Sequence, residues 1–365
     1  MKNYSGQVAL VLQGGGALGA YQVGVYEALH DAGVEPDWVI GTSIGAINGA
    51  IIAGNPPERR MERLEEFWQM VRTDRVANLW GMWPAVAGAV AQAGVMVNGI
   101  DGFFAPNSDA TWKGVNGRLG VEQAAFYTTA PLHETLARLV DLDCLNTHRT
   151  RLTLGAVNVR SSEMRYFDSR DEALDLKHIM ASGALPPAFP AVRIDGDPYW
   201  DGGICSNTPV EVVLDDKPRR DSLIFAANVW HASGPEPETI LEVIGRQKDI
   251  QYASRAASHV KRQQQIHRMR HIIRELKQHV PADKQGDPEI KSMLDYGCAT
   301  VMHLVPLHAP RLEGEDHTKD IDFTSAGIDT RRKAGYADTR RALEEQPWAH
   351  CADTMDGVII HGARV

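Results

Sequence analysis

Residues 8–19, VALVLQGGGALG, and residues 38–45, WVIGTSIG, decide the fold of this chain. Each is a short apolar run that ends in glycines, which is typical of a buried parallel strand entering a turn. Helical spacing follows both turns, over Leu18–Ala32 and over Ala46–Ala53. The order strand–helix–strand–helix predicts an α/β fold with parallel strands and right-handed crossovers.

The rest of the chain continues this pattern up to a change in composition near Pro235. We predict a three-layer α/β/α fold with a mostly parallel central sheet and a C-terminal helical extension. The predicted domains are residues 1–235, which carry the motifs, and residues 236–365, a long basic helix and C-terminal extension. Further predicted elements are helices at Pro57–Arg72, Pro131–Val140, Asp171–Ser182 (capped by Asp171) and Asp329–Glu345, and strands at Arg151–Val159, Met164–Asp168, Ser222–Val229 and Thr300–Pro306.

Ser43 lies between Gly41 and Gly45, after an apolar strand and before a helix. This is the local sequence of a nucleophile elbow, in which a sharp strand-to-helix turn exposes the serine hydroxyl. The helix that begins at Ile44 directs its positive end at Ser43, which favours an alkoxide or oxyanion. The alternative is a serine that only caps the helix beside two packing glycines.

The first glycine turn has two competing interpretations. The backbone N–H groups of Gly14, Gly15 and Gly16 could form an oxyanion hole at a helix start, with Gly19 supporting the turn. The spacing Gly-x-Gly-x-x-Gly also matches a dinucleotide-binding turn. That alternative needs an acid after the second strand, and Asp37 precedes that strand.

A serine nucleophile needs a base. Asp201 is the strongest candidate, because Gly202 and Gly203 follow it and let the backbone turn tightly at a strand end. It could instead merely begin a turn. The alternative base is a histidine, and His231 is the most plausible because it follows the strand Ser222–Val229.

These three motifs, in this order, resemble the patatin-like phospholipases over about residues 6–230. The resemblance implies a patatin-like fold and hydrolysis of lipid acyl esters by a Ser–Asp dyad, here Ser43 and Asp201, without a cofactor. One position departs from the family: Leu18 stands where members often carry Arg or Lys. The C-terminal part looks like an extension found in some bacterial patatin-like proteins. A non-catalytic interaction protein built on the same scaffold remains the other alternative.

Composition limits the other functions. With a net charge of −9 and a pI near 5.9, the chain is not expected to bind nucleic acid nonspecifically. Four scattered cysteines, no signal-peptide core and a longest weakly polar stretch (Met82–Val97) too short to span a bilayer predict a soluble, cytoplasmic protein. His303, His308 and His317 lack metal-ligand spacing, so no metal site is expected.

The segment Arg246–His279 is basic, and a row of apolar residues at 3-4-3-4 spacing runs along its second half to the next residue, Val280. We call this row the apolar stripe; its members are Ile266, Met269, Ile273, Leu276 and Val280. A helix with such a stripe packs on its own domain or on a second copy, so a homodimer is one prediction. Peripheral contact of the basic face with an anionic membrane is another.

Overall fold

The computed structural model describes residues 4–73, 94–95, 97–147, 149–350 and 355–362, so the stretch Met82–Val97 lies largely outside the described residues. The strands in chain order are β1 (Gln7–Leu12), β2 (Trp38–Gly41), β3 (Ala105–Pro106), β4 (Tyr127–Thr128), β5 (Arg151–Asn158), β6 (Met164–Asp168), β7 (Val192–Ile194), β8 (Asp197–Asp201), β9 (Ser222–Asn228), β10 (Met302–His308) and β11 (Val358–Ile360).

The helices surround these strands and also cover the glycine turns. In chain order they are α1 (Ala20–Asp31), α2 (Ile44–Ala53), α3 (Pro57–Met70), α4 (Ser108–Lys113), α5 (Ala130–Leu139), α6 (Leu142–Asn146), α7 (Leu176–Ser182), α8 (Glu211–Leu214), α9 (Ile240–Lys277), α10 (Pro288–Leu294) and α11 (Ser325–Glu345). Short 3-10 turns occur at Gly16–Gly19, Gly202–Ile204, Lys319–Ile321 and Pro347–His350.

Within the described residues, the central sheet has the order β11-β10-β9-β1-β2-β5-β8-β7, and β6 also pairs with β5. The strands from β11 to β5 are parallel, whereas β6 and β8 run antiparallel to β5. Along β1, Leu10 and Leu12 enter one buried cluster and Ala9 and Val11 enter another. Both faces of the sheet are therefore covered, which confirms the predicted three-layer α/β/α fold.

One predicted helix start is wrong. The helix predicted from Asp171 begins at Leu176, and its cap is Asp175, not Asp171. The Asp175 carboxylate accepts the amide of His178, and the His178 ring accepts the amide of Asp175. This reciprocal pair of hydrogen bonds fixes the helix start, and the residues between Asp171 and Asp175 form turns instead.

The C-terminal segment is not only helical. Strand β10 pairs in parallel with β9, and β11 pairs in parallel with β10, so the segment extends the central sheet. Helix α11 packs along α1. The boundary between residues 235 and 236 stays a prediction, and the sheet itself continues past it.

Helix α9 buries a different face from the apolar stripe. Its buried side chains include Val260, His267 and His271, and the two rings donate to the carbonyls of Leu214 and Thr300. Within the stripe, Met269 and Leu276 are more than half exposed, and Ile266, Ile273 and Val280 are partly buried. The stripe therefore does not form the main contact of α9 with its own domain, and self-association stays a prediction.

Candidate active site

The two glycine turns meet at one edge of the sheet. Gly14 follows β1 and Ser43 follows β2, and the two strands are parallel neighbours with Leu12 paired to Gly41. Asp201 ends β8, and its amide donates to the carbonyl of Ala184. The carboxyl ends of the parallel strands β1 and β2 thus bring the two glycine turns together. The antiparallel strand β8 brings Asp201 to the same end of the sheet, where it pairs with Ala156 near the end of β5.

The backbone at Ser43 is strained in the way that the predicted turn requires. Its φ is 58° and its ψ is −125°, a conformation that non-glycine residues rarely adopt. A Cβ on Gly41 would lie 2.3 Å from the Gly45 carbonyl oxygen, and a Cβ on Gly45 would lie 2.2 Å from that of Leu12. The Ser43 amide donates to the Ser182 carbonyl at 3.1 Å, which ties the turn to the end of α7.

Asp201 is buried in direct contact with Ser43. Its side chain is only 1% exposed, and its Oδ1 accepts the Gly203 amide at 2.7 Å. The Ser43 side chain lies within reach of the carboxylate and lowers its pKa, as a hydrogen-bond donor does. Burial raises the pKa of Asp201 to about 7, against the opposing effect of Ser43 and of the Gly203 amide. A carboxylate with this pKa can accept a proton near neutral pH.

The glycine turn presents two amides and not three. The Gly14 amide donates to the Asn207 carbonyl at 3.2 Å, so the prediction of Gly14 as an oxyanion donor needs revision. For the amides of Gly15 and Gly16, no acceptor is found among the described residues. Gly16 has a φ of +55°, and a Cβ there would lie 2.3 Å from the Asp320 carbonyl oxygen.

Several residues that fix this turn have no motif of their own. The Gly14 carbonyl accepts the Trp230 indole N–H at 2.7 Å and the Asn207 side-chain amide at 3.0 Å. The buried Gln13 side chain accepts the amides of Val229 and Trp230 and donates to the Tyr252 carbonyl at 3.2 Å. In the sequence, only their closeness to a motif indicates a role for two of these residues: Gln13 precedes Gly14, and Asn207 closely follows the Asp201 turn.

Ser43 and Asp201 lie in a cavity of about 420 Å³ with mostly apolar walls. Aromatic rings from distant segments form one side, with Phe104 4.8 Å from Tyr127 and 5.2 Å from Phe189 between ring centroids. Residues 236–365 form another side. The residues from that segment that line the cavity are Lys248, Tyr252, Asp320, Ile321 and Phe323.

Among the described residues that line this cavity, there is no histidine. His231 lines a separate small pocket beside Leu18 and Tyr21. Burial, together with the nearby Lys319 and Arg311, lowers its pKa to about 4. The structure therefore does not bring the alternative base to Ser43.

The carboxylate required by the dinucleotide alternative is at the wrong end of the strands. Asp37 accepts the amide of Val8 at 2.8 Å, near the start of β1, whereas Gly14 follows the end of β1. Asp320 also covers the outer side of Gly16, where a pyrophosphate would need to approach. The geometry thus supports the oxyanion interpretation of the turn over the nucleotide one.

Across the described ranges, no three His, Cys, Asp or Glu side chains are grouped as metal ligands. No helix in those same ranges has both the length and the apolar character needed to cross a bilayer. Leu18, at the position where the resemblance implies a cation, is buried in the main apolar cluster.

Comparisons with known proteins place these motifs in one family. A family model described as patatin-like phospholipase matches residues 10–214, which include all three motifs, and one described as patatin phospholipase matches residues 250–355. A lysophospholipase of Aspergillus terreus is 61% identical over 46 residues, 13% of this chain and 3% of that protein. A lysophospholipase of Yarrowia lipolytica is 26% identical over 238 residues, 64% of this chain and 13% of that protein.

The chain thus spans only a small fraction of the length of these curated relatives. Among solved structures, VipD from Legionella pneumophila aligns with a TM-score of 0.42 and 15% identity, covering 98% of this chain and 72% of that one.

Proposed function

We propose that this chain, which belongs to the patatin-like phospholipase family, hydrolyses carboxylic ester bonds of lipid-like substrates with Ser43 as nucleophile and Asp201 as base. The observation that carries the proposal is the juxtaposition of the strained Ser43 and the buried Asp201 in one apolar cavity, where the Ser43 side chain stabilises the charged carboxylate. The names of the relatives, lysophospholipase and patatin-like phospholipase, support a lipid hydrolase.

In the first half of the reaction, the Ser43 hydroxyl oxygen attacks the acyl carbonyl carbon and its proton passes to Asp201. The tetrahedral intermediate collapses to an acyl ester on Ser43, and the leaving alcohol takes the proton from Asp201. In the second half, Asp201 removes a proton from water, which attacks the acyl ester. Release of the fatty acid returns that proton to Ser43.

The raised pKa of Asp201 supports its role as base. An aspartate of ordinary pKa, about 3.9, is a poor proton acceptor at neutral pH. Burial raises the pKa of this carboxyl to about 7. At neutral pH it can therefore accept a proton and then donate it to the leaving group. The apolar surroundings that raise the pKa are the same ones that would accommodate an acyl chain.

The amides of Gly15 and Gly16 are the proposed oxyanion donors. Both residues line the cavity beside Ser43, and their N–H groups have no acceptor among the described residues. Preorganised backbone donors stabilise the charge that develops on the carbonyl oxygen, and one donor can contribute about 3 kcal/mol. Gly14 supports the turn through its own hydrogen bonds to Asn207.

The test is covalent labelling combined with hydrolysis. A fluorophosphonate probe should label the protein once, and Ser43→Ala should abolish both labelling and hydrolysis of a p-nitrophenyl ester series. Ser162→Ala is the matched control, because Ser162 is an exposed serine that also has a positive φ, 61°. Labelling that survives Ser43→Ala would remove Ser43 from the reaction, and a phospholipid panel run beside the esters would define the head group.

A further inference from the structure

We infer that two ion pairs between helix α9 and a neighbouring turn hold the glycine turn in its catalytic position. This inference rests on the proposed function. The pairs are Lys248 with Asp320 and Asp249 with Lys319, and we call them the double ion pair. In it, consecutive residues of α9 hold consecutive residues of the 3-10 turn Lys319–Ile321.

This 3-10 turn touches the glycine turn directly. A Cβ on Gly16 would lie 2.3 Å from the Asp320 carbonyl oxygen, so the main chain of Asp320 packs against Gly16 itself. Asp320 and Ile321 also line the cavity that contains Ser43. Any outward movement of the 3-10 turn would therefore remove the support behind the Gly16 amide.

Lys248 fixes Asp320. Its ammonium group donates to the two carboxylate oxygens of Asp320 at 2.7 and 2.9 Å and to the His317 carbonyl at 2.9 Å. An ammonium group has three protons, so all of them are directed at the segment that ends in the 3-10 turn. Asp320 balances the charge of Lys248. We therefore treat Lys248 as a structural residue and not as a cation that binds substrate.

Lys319 provides the second connection. Its ammonium group donates to Asp249 at 2.7 Å, and both side chains are more than nine-tenths buried. The same ammonium lies 5.2 Å from the centroid of the Trp230 ring, whose indole N–H donates to the Gly14 carbonyl. Because a buried charge left without its partner is strongly unfavourable, this pair resists separation of the two segments.

The double ion pair fixes the direction of two backbone N–H groups. The amides of Gly15 and Gly16 find no acceptor among the described residues, so their orientation depends on the packing of the turn. Catalysis is sensitive to such positions, because a displacement of about 1 Å can lower a rate about a hundredfold. Lys248 and Asp320 are therefore positioning residues for the oxyanion hole.

The test compares steady-state kinetics on a neutral p-nitrophenyl ester. Lys248→Met should lower kcat about tenfold and leave KM within about twofold, because the transition state loses more than the ground state. Lys248→Arg keeps an ion pair with Asp320 and should recover most of kcat. Lys261→Met is the matched control, since Lys261 is an exposed lysine of the same helix.

A transition-state analogue separates positioning from general damage. A trifluoromethyl ketone forms a tetrahedral adduct on Ser43, so its inhibition constant should rise by the same factor as kcat/KM falls in Lys248→Met. Asp320→Asn is the second variant and should reproduce both changes. Melting curves of all variants establish that each one is folded.

Fluorophosphonate labelling of the wild type comes first. An unlabelled, inactive wild type would overturn the proposed function and this inference with it. If the wild type is active, an unchanged kcat in Lys248→Met and Asp320→Asn would overturn the positioning role of the double ion pair and leave the proposed function intact. The same holds if Lys248→Met raises KM for phosphate-bearing substrates alone, since that result makes Lys248 a substrate-binding residue.

Discussion

Residues 1–235 and residues 236–365 meet at one cavity and contribute differently to it. The first segment supplies the proposed reacting groups, Ser43 and Asp201, on turns at strand ends. The second segment supplies one wall of the cavity and the contact behind Gly16. The motifs of a chain can thus lie in one segment while the geometry of its site depends on another.

The carboxylates of the two segments show the same contrast. Asp201 is buried, no cation of the described residues contributes to its pKa, and burial raises that pKa to about 7. Asp249 and Asp320 each have a lysine partner. An isolated buried carboxyl is suited to proton transfer, whereas paired carboxyls are suited to holding segments together.

The largest expected effect belongs to the base in the first segment. Asp201→Asn keeps the shape of the side chain but removes its ability to accept a proton, so kcat should fall at least about a hundredfold. His231 lies outside the cavity, so His231→Ala should have a kcat near that of the wild type. The opposite pattern of rates would show that a histidine acts as the base.

The next effect tests the contact between the segments. Gly16→Ala introduces a Cβ at a φ of +55° and 2.3 Å from the Asp320 carbonyl oxygen, so the two turns must separate. We expect kcat to fall between about tenfold and a hundredfold, because an oxyanion donor is displaced.

Gly33→Ala is the control for Gly16→Ala. Gly33 also has a positive φ, +68°, but a Cβ there meets no atom within 4 Å. Both variants carry the backbone strain of a left-handed alanine, and only one carries the contact with Asp320. Equal losses of kcat would show that strain alone, and not the contact between segments, explains the result.

The pH dependence should follow the isolated carboxyl. Because Asp201 must be deprotonated to act as base and its pKa is raised to about 7, kcat/KM should rise with pH and level off above that value. Below it, the rate should fall about tenfold per pH unit. A profile that stays flat from pH 5 to pH 9 would contradict the assignment.

The same raised pKa predicts that stability falls with rising pH, whereas kcat/KM rises. The folded state binds the Asp201 proton more tightly than the unfolded state, so this group favours folding below its unfolded pKa and loses that contribution as pH rises through 7. Asp201→Asn should therefore raise the melting temperature more at pH 8 than at pH 5. Thermal unfolding at the two pH values measures this difference, and an equal change at both would contradict it.

The sequence predicted the first segment well because its signals are local. Glycines at Gly41 and Gly45 leave room for the backbone of Ser43, and apolar runs mark the buried strands, so fold class and motif positions could be identified from short patterns. The family match over residues 10–214 confirms the predicted resemblance.

The sequence predicted the second segment less well because its contacts are between distant residues. Lys248 meets Asp320 across a long stretch of chain, and no spacing rule joins such a pair. The same limit applies within the first segment: the Gly14 amide could not be recognised as occupied, because its acceptor, the Asn207 carbonyl, comes from a remote turn. Periodicity also marked an apolar face of α9, but buried histidines decide which face packs on the sheet.

The smallest expected effect on activity concerns that apolar face. Met269, Ile272 and Leu276 are exposed on α9, far along the helix from Lys248. Exposed apolar side chains on one helix are commonly covered by a second copy in a closed dimer. We therefore expect light scattering to give about twice the 40.1 kDa of one chain, and Ile273→Asp combined with Leu276→Asp to give a folded monomer with unchanged kcat. A wild type that already runs as a monomer would contradict self-association, and a double variant that unfolds would assign the apolar stripe to the protein's own core.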